Sequence, residues 1–204
     1  MNHEQRHDPE ATGTAALIFE AGTLRDIHRT GWSYDGIHNA ETVAEHSHRA
    51  AVIGIVLAAM EGVDPARTAL LCTLHDLHEA RIGDLTPLTR RYVSAADPRT
   101  VTADQVAVAH PAVRDVLAGA VDEHEDNLTP EARCAHDADK LDCLVRAVEY
   151  RAQGHTAVQG KIDRCRAALK TDSARRLADA AMQMSPGDWQ VAIRKAAASS
   201  MASH

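Results

Sequence analysis

Histidines and carboxylates crowd three short stretches of this chain: EHSHR at 45–49, LHDLHEARIGD at 74–84 and DADKLD at 137–142. Each stretch is flanked by apolar residues at helical spacing, so its polar groups would be carried on elements that also face a core. His75 and Asp76 are adjacent and Glu79 lies one helical turn on. Steps of three and four residues stay within one stripe of a helix, so all three can lean to one side. Asp84 follows Gly83 closely enough to join that patch from a loop. His46 opens a second helix, and the third stretch offers Asp137, Asp139 and Asp142. Two neutral imidazoles and two carboxylates suit a borderline transition ion such as manganese, iron, cobalt or zinc, with positions left open for water and substrate. Such an ion could acidify a water, polarise a phosphoryl oxygen and offset the repulsion between an anionic substrate and an acidic protein.

The His-Asp dipeptide alone carries little, because it occurs at His7-Asp8, His75-Asp76 and His136-Asp137. The central copy stands out by context: a histidine upstream at a helix start, an apolar run just before it, and an aspartate downstream within a third helix. Competing roles exist for each group. Asp137, Asp139 and Asp142 could each be a solvated face or a helix ion pair, Glu79 could pair with Arg81 or Arg49, and Asp84 could be a turn residue after Gly83. A tryptophan beside glycine, as at Trp32, is often a packing anchor.

These groups need helices to position them. Ala15, Leu17, Ile18, Phe19, Leu24 and Ile27 form an apolar stripe ending near His28, and residues 29–40, with two glycines, read as a loop. A helix is expected from about Thr42 to Met60, stopped by Gly62; the next opens at Asp64-Pro65 and runs until Gly83 breaks it. His110-Pro111 and Thr129-Pro130 open two more, the second reaching Tyr150, and helices over about 158–182 and 187–199 follow. The stretch 87–104 mixes helix and turn signals and supports no assignment. Residues 1–12 are polar and read as a flexible arm, leaving 13–200 as one domain.

Composition agrees with a helical enzyme. Alanine and leucine recur while aromatic residues make up only 3% of the 204 residues, a mix that favours helices over sheets. The net charge is −7 and no basic block appears, which disfavours a polynucleotide or membrane partner. The four cysteines form no C-x-x-C pair, no apolar run approaches the roughly 20 residues of a membrane span, and the polar start lacks a signal core, so a cytoplasmic location is expected.

The order H…HD…D, centred on LLCTLHDLHEARIGD, resembles the HD phosphohydrolase superfamily. Within it, IHRTGW, ETVAEHSHRAA, HDLHEARIGDLTP and ARCAHDADKLDCLVRAVEY are similar to the YfbR-like 5′-deoxynucleotidases and their eukaryotic HD-domain relatives, over roughly residues 15–155. The resemblance implies an all-α fold, a single HD-domain helical bundle, and frequently a homodimer. It implies ligation of one divalent transition metal ion (cobalt, manganese, iron or zinc) by His46, His75, Asp76 and Asp139, with Glu79 and Asp84 as catalytic carboxylates. Arg29 and Trp32 match positions that meet the phosphate and sugar of a nucleoside monophosphate, and Arg90 and Arg91 are further candidate phosphate contacts. Lys140 is expected to point away from the ion. The expected activity is hydrolysis of a (deoxy)ribonucleoside 5′-phosphomonoester. Two other readings stand beside it: a dinuclear-iron oxygenase, for which His78 and His124 are the extra histidines at hand, and a non-catalytic nucleotide-binding module.

Overall fold

The computed structural model describes residues 8–201. Among them there are ten α-helices and four short 3₁₀ turns, with no β-sheet and one isolated bridge between His28 and Thr42. No helix among the described residues is long and apolar enough to cross a membrane. Helix α1 (Pro9–Gly22) begins at Asp8, whose carboxylate accepts the Glu10 and Ala11 amides. The expected arm is therefore corrected over residues 9–12: an aspartate cap and a proline at the first helical position start the helix there. Residues 1–7, with His3 and His7, and His204 lie outside the described residues. On α1 the expected stripe is only partly internal. Leu17 is buried, whereas Ile18 and Phe19 face outward.

Helix α2 (Val43–Glu61) starts from a reciprocal cap: the Thr42 hydroxyl accepts the Glu45 amide at 3.2 Å, and the Glu45 carboxylate accepts the Thr42 amide at 2.7 Å. It packs on α3 (Pro65–Leu74) and on α7 (Pro130–Ala152), the 23-residue helix about which the bundle is organised. The approach of α2 to α3 is close because residue 54 is glycine. A Cβ there would meet Cys72 Sγ at 2.6 Å and Thr68 Cγ2 at 3.2 Å. Leu57, Leu71 and Leu144 are fully buried in the main core, along with Ala50, Ala138 and Ala147.

Two expected helices are each broken in two. The helix from Pro65 ends at Leu74 and resumes as α4 (Glu79–Ile82). Between them the chain winds tighter: the Leu77, Glu79 and Ala80 amides reach back three residues, to Leu74, Asp76 and Leu77. The His75 ring bonds the Cys72 carbonyl at 2.7 Å, the acceptor that a continuing α-helix would offer to residue 76. The expected 158–182 helix is α8 (Gln159–Ala168) and α9 (Asp172–Gln183). The buried Asp137 carboxylate on α7 draws in the Lys170 amide, the Thr171 amide and the Thr171 hydroxyl, and Thr171 caps α9. The undecided stretch holds a 3₁₀ turn (Thr89–Arg91) and α5 (Pro98–Val106), and α6 (Pro111–Asp126) and α10 (Asp188–Met201) complete the set.

Candidate active site

His46 in the first turn of α2, His75 and Asp76 in the tightened turn after α3, and Asp139 midway along α7 converge on one point. His46 Nε2 lies 3.3 Å from His75 Nε2, 3.3 Å from Asp139 Oδ1 and 3.7 Å from Asp76 Oδ2. His75 Nε2 lies 3.2 Å from Asp76 Oδ2. The break in the helix thus still presents His75 and Asp76 to the same place, through the 3₁₀ winding instead of an α-helical stripe.

The hydrogen bonds of the two imidazoles show what belongs there. His46 Nδ1 is 2.6 Å from the Asp142 carboxylate, and His75 Nδ1 is 2.7 Å from the Cys72 carbonyl. A carboxylate and a carbonyl only accept, so each Nδ1 carries a proton, and a ring with no second proton turns its Nε2 lone pair toward the other ring and toward two carboxylate oxygens. Two imidazole nitrogens and two carboxylate oxygens converging in this way fit a cation, and Arg29 already donates to one of those oxygens, Asp76 Oδ2, at 2.9 Å. Protons satisfy the same field: burial and Arg29 oppose charge on His46, yet Asp139 and Asp142 raise it well above the usual imidazole range. Asp139 is held well below the usual carboxylate range, its burial outweighed by His46 and Lys140.

Behind the candidate ligands lies an ion-pair ring whose Asp142 and Glu41 are buried and whose Arg49, Arg146 and Glu149 are partly exposed. Arg49 bonds Asp142 and reaches both oxygens of Glu149, at 2.9 and 3.0 Å, while Arg146 bridges Glu149 at 2.9 Å and Glu41 at 3.3 Å. Asp142, a rival for ligation in the sequence, instead fixes the tautomer and direction of His46. Arg49 and Arg81, weighed as partners of Glu79, are taken by Asp142 and Glu20.

Arg29 closes the site from the other side, its guanidinium 2.9 Å from Asp76, 3.5 Å from Asp84 and 4.0 Å from Asp139. Glu79 is buried and its Oε2 has no partner. Burial, then the charges of Asp76 and Asp84, push its carboxyl up to about 9. Gly83 adopts φ +74°, which turns the chain so that Asp84 accepts the Thr30 amide. A cavity of about 480 Å³ opens here, lined by Arg29, Asp76, Glu79, Asp84, Asp139 and, from α8, Lys161. Trp32 borders it but is only 2% exposed; its indole N–H goes to Glu41 at 3.2 Å and its ring meets Tyr150 edge-on.

Other expectations are corrected. Lys140 does not point away: its ammonium is 2.7 Å from Asp139 Oδ2 and borders the cavity. Arg90 bonds the Leu85 carbonyl, and neither it nor Arg91 lines the cavity. His78 and His124 are buried, and the His124 ring stacks on His136 at 4.1 Å. Among the described residues neither joins a group of three ligand atoms of the kind formed by His46, His75 and Asp76.

The sequence profile described as HD domain matches residues 21–181. The chain belongs to the HD-domain family. Curated relatives of this HD-domain chain include a 5′-deoxynucleotidase of Dictyostelium discoideum, 28% identical over 149 residues, covering 66% of this chain and 75% of the relative. One from Danio rerio is 28% identical over 133 residues, covering 63% of this chain and 65% of the relative. A conserved hypothetical protein from Pyrococcus furiosus superposes with a TM-score of 0.66 at 29% identity, over 82% of this chain and 98% of that one.

Proposed function

We propose that this HD-domain protein is a metal-dependent phosphohydrolase that cleaves the 5′-phosphomonoester of deoxyribonucleoside or ribonucleoside monophosphates to nucleoside and phosphate. The observation that carries the reading is the pair of imidazole Nε2 atoms facing two carboxylates, with an arginine and a proton-holding glutamate beside them. His46, His75, Asp76 and Asp139 would hold one divalent cobalt, manganese, iron or zinc ion, which when bound supplies an acidified water and polarises a phosphoryl oxygen. Arg29 binds and orients the phosphoryl group, its charge held by Asp76 and Asp84 until the substrate competes for it. Glu79, buried and holding its proton in the fold, can donate that proton to the departing 5′ oxygen and regain one from solvent. Asp84 fixes the Arg29 segment through the Thr30 amide and orients the attacking water. Trp32 supports the substrate segment from below.

The same reading treats the chain from α1 onward as one folding unit in a reducing cytoplasm, and pairs it with a second copy over the exposed Val52, Val56, Met184 and Trp189 surface. A single unfolding transition and a dimer mass by light scattering test these points. The activity is tested by phosphate release from a panel of deoxyribo- and ribonucleoside monophosphates with each of the four metals. Release confined to 5′-monophosphates and abolished by chelation is the expected result; release that persists after chelation, or none from any nucleotide, overturns it.

A further inference from the structure

Lys161 on α8 is 130 residues from Gly31 in the chain, yet its ammonium meets the Thr30–Asp35 turn at three points. Nζ donates to the Gly31 carbonyl at 2.9 Å, pairs with Asp35 at 2.9 Å, and sits 3.7 Å from the centroid of the Trp32 ring. The ammonium thus meets one carbonyl as a hydrogen bond, one carboxylate as an ion pair and one aromatic face as a cation–π contact. The Lys161 and Asp35 side chains are largely withdrawn from water, at 17% and 15% exposure, so the pair is screened less than a surface pair.

The turn follows directly on Arg29. Its remaining ties mostly run the opposite way: the Arg29 amide donates to the Glu41 carbonyl at 2.9 Å, and the Trp32 indole donates to the Glu41 carboxylate. On the cavity side the turn is held by the Thr30 amide to Asp84 and by Lys161. We propose that Lys161 is a positioning residue for substrate binding: it clamps the Thr30–Asp35 turn to α8 and so sets where Arg29 meets the phosphoryl group. This rests on the reading that Arg29 takes that group. A consequence is that the Trp32 face toward α8 is already occupied by a cation, so no substrate ring stacks on it.

The test uses the metal-loaded chain in a Trp189→Phe background, where Trp32 is the remaining tryptophan, and compares Lys161→Met with Lys161→Arg. Methionine keeps an apolar stem but no donor, whereas arginine can still stack on the indole and pair with Asp35. Lys161→Met is expected to shift Trp32 emission, weaken inorganic phosphate binding and raise the KM for a deoxyribonucleoside monophosphate by about tenfold, with kcat within about twofold. Metal affinity stays unchanged, and Lys161→Arg restores phosphate binding to within about threefold. If Lys161→Met alters Trp32 emission but leaves phosphate affinity and KM as they were, the residue only packs and the proposal fails. If Lys161→Met does not fold, Asp35→Asn removes one of the three contacts and must weaken phosphate binding in the same direction; unchanged binding refutes the proposal. Should no variant turn over any nucleotide, the proposed activity is lost, while phosphate affinity still decides the role of Lys161.

Discussion

The two walls of the cavity are built by different means. On the proposed reading the metal-facing wall stands on the long helices α2 and α7 and the end of α3, with the candidate ligands backed by fully buried leucines and by the Asp142–Arg49–Glu149 ion pairs. The substrate-facing wall is the irregular 29–36 segment and the loop at Asp84, held by side chains from distant elements: Glu41 on the indole, Lys161 on the turn, Asp84 on the Thr30 amide. The difference teaches that a metal centre can be rigid because regular helices over-determine it, whereas substrate placement here hangs on single contacts. Damage to the first wall should abolish the site, and damage to the second should detune it.

The largest separation is expected from Asp76→Ala. It removes a ligand carboxylate and the main partner of Arg29, so elemental analysis should find the ion lost and phosphate release should fall by on the order of 10³-fold or more. Retention of both would dissolve the distinction between the walls. Asp142→Asn tests the backing. With His46 Nδ1 facing an amide that can donate, the ring tautomer is no longer enforced, and metal affinity measured by competition with a chelator should drop by roughly 10–100-fold. Leu144→Ala should cost about 2–5 kcal/mol in denaturant unfolding, since its side chain is fully enclosed. Trp32→Phe keeps an aromatic ring but takes the N–H donor from the buried Glu41; a stability loss of about 1–3 kcal/mol and a raised KM are expected with metal affinity unaltered.

The last and most gradual effect is a pH slope, of at most about 1.4 kcal/mol for each pH unit crossed. The Glu79 carboxyl has an ordinary value of 4.5 and is pushed up to about 9 in the fold, so the folded chain binds more protons than the unfolded chain between those values. The contribution is fully present below the lower value and is lost as pH rises through the higher one. Melting of the metal-stripped protein should therefore fall with pH across that window more steeply than melting of Glu79→Gln. Equal slopes would mean that Glu79 is ionised in the fold.

The ligand wall was the legible one. Thr42 with Glu45, Asp64-Pro65 and Thr129-Pro130 announce helix starts in local chemistry, and the apolar spacing that follows tells which side faces the core. His46, His75 and Asp76 stand out by their context between apolar runs, whereas the choice of Asp139 over Asp137 and Asp142 came from the resemblance to the HD superfamily. Where the expectation failed, a side-chain contact, in one case from far along the chain and in others from close by, had won over backbone propensity. Asp137 splits the 158–182 segment by drawing in residues 170 and 171, and the His75 ring competes for a helical carbonyl. Lys140 misled for a similar reason: beside Asp139 in sequence it could face either way, and burial of an uncompensated carboxylate decided the matter.

By itself the sequence determined the helical class and the order of the principal helices, because these follow from periodicity, caps and residue type over a few turns; the four candidate ligands came from the family resemblance. The tertiary structure alone decided that Asp142 orients His46, that Trp32 is an anchor covered by Lys161, and that Glu79 is left buried without a partner. Those outcomes depend on which side chains meet across 100 or so residues of chain and on how far each meeting place lies from water, and neither quantity is written in any local window of residues.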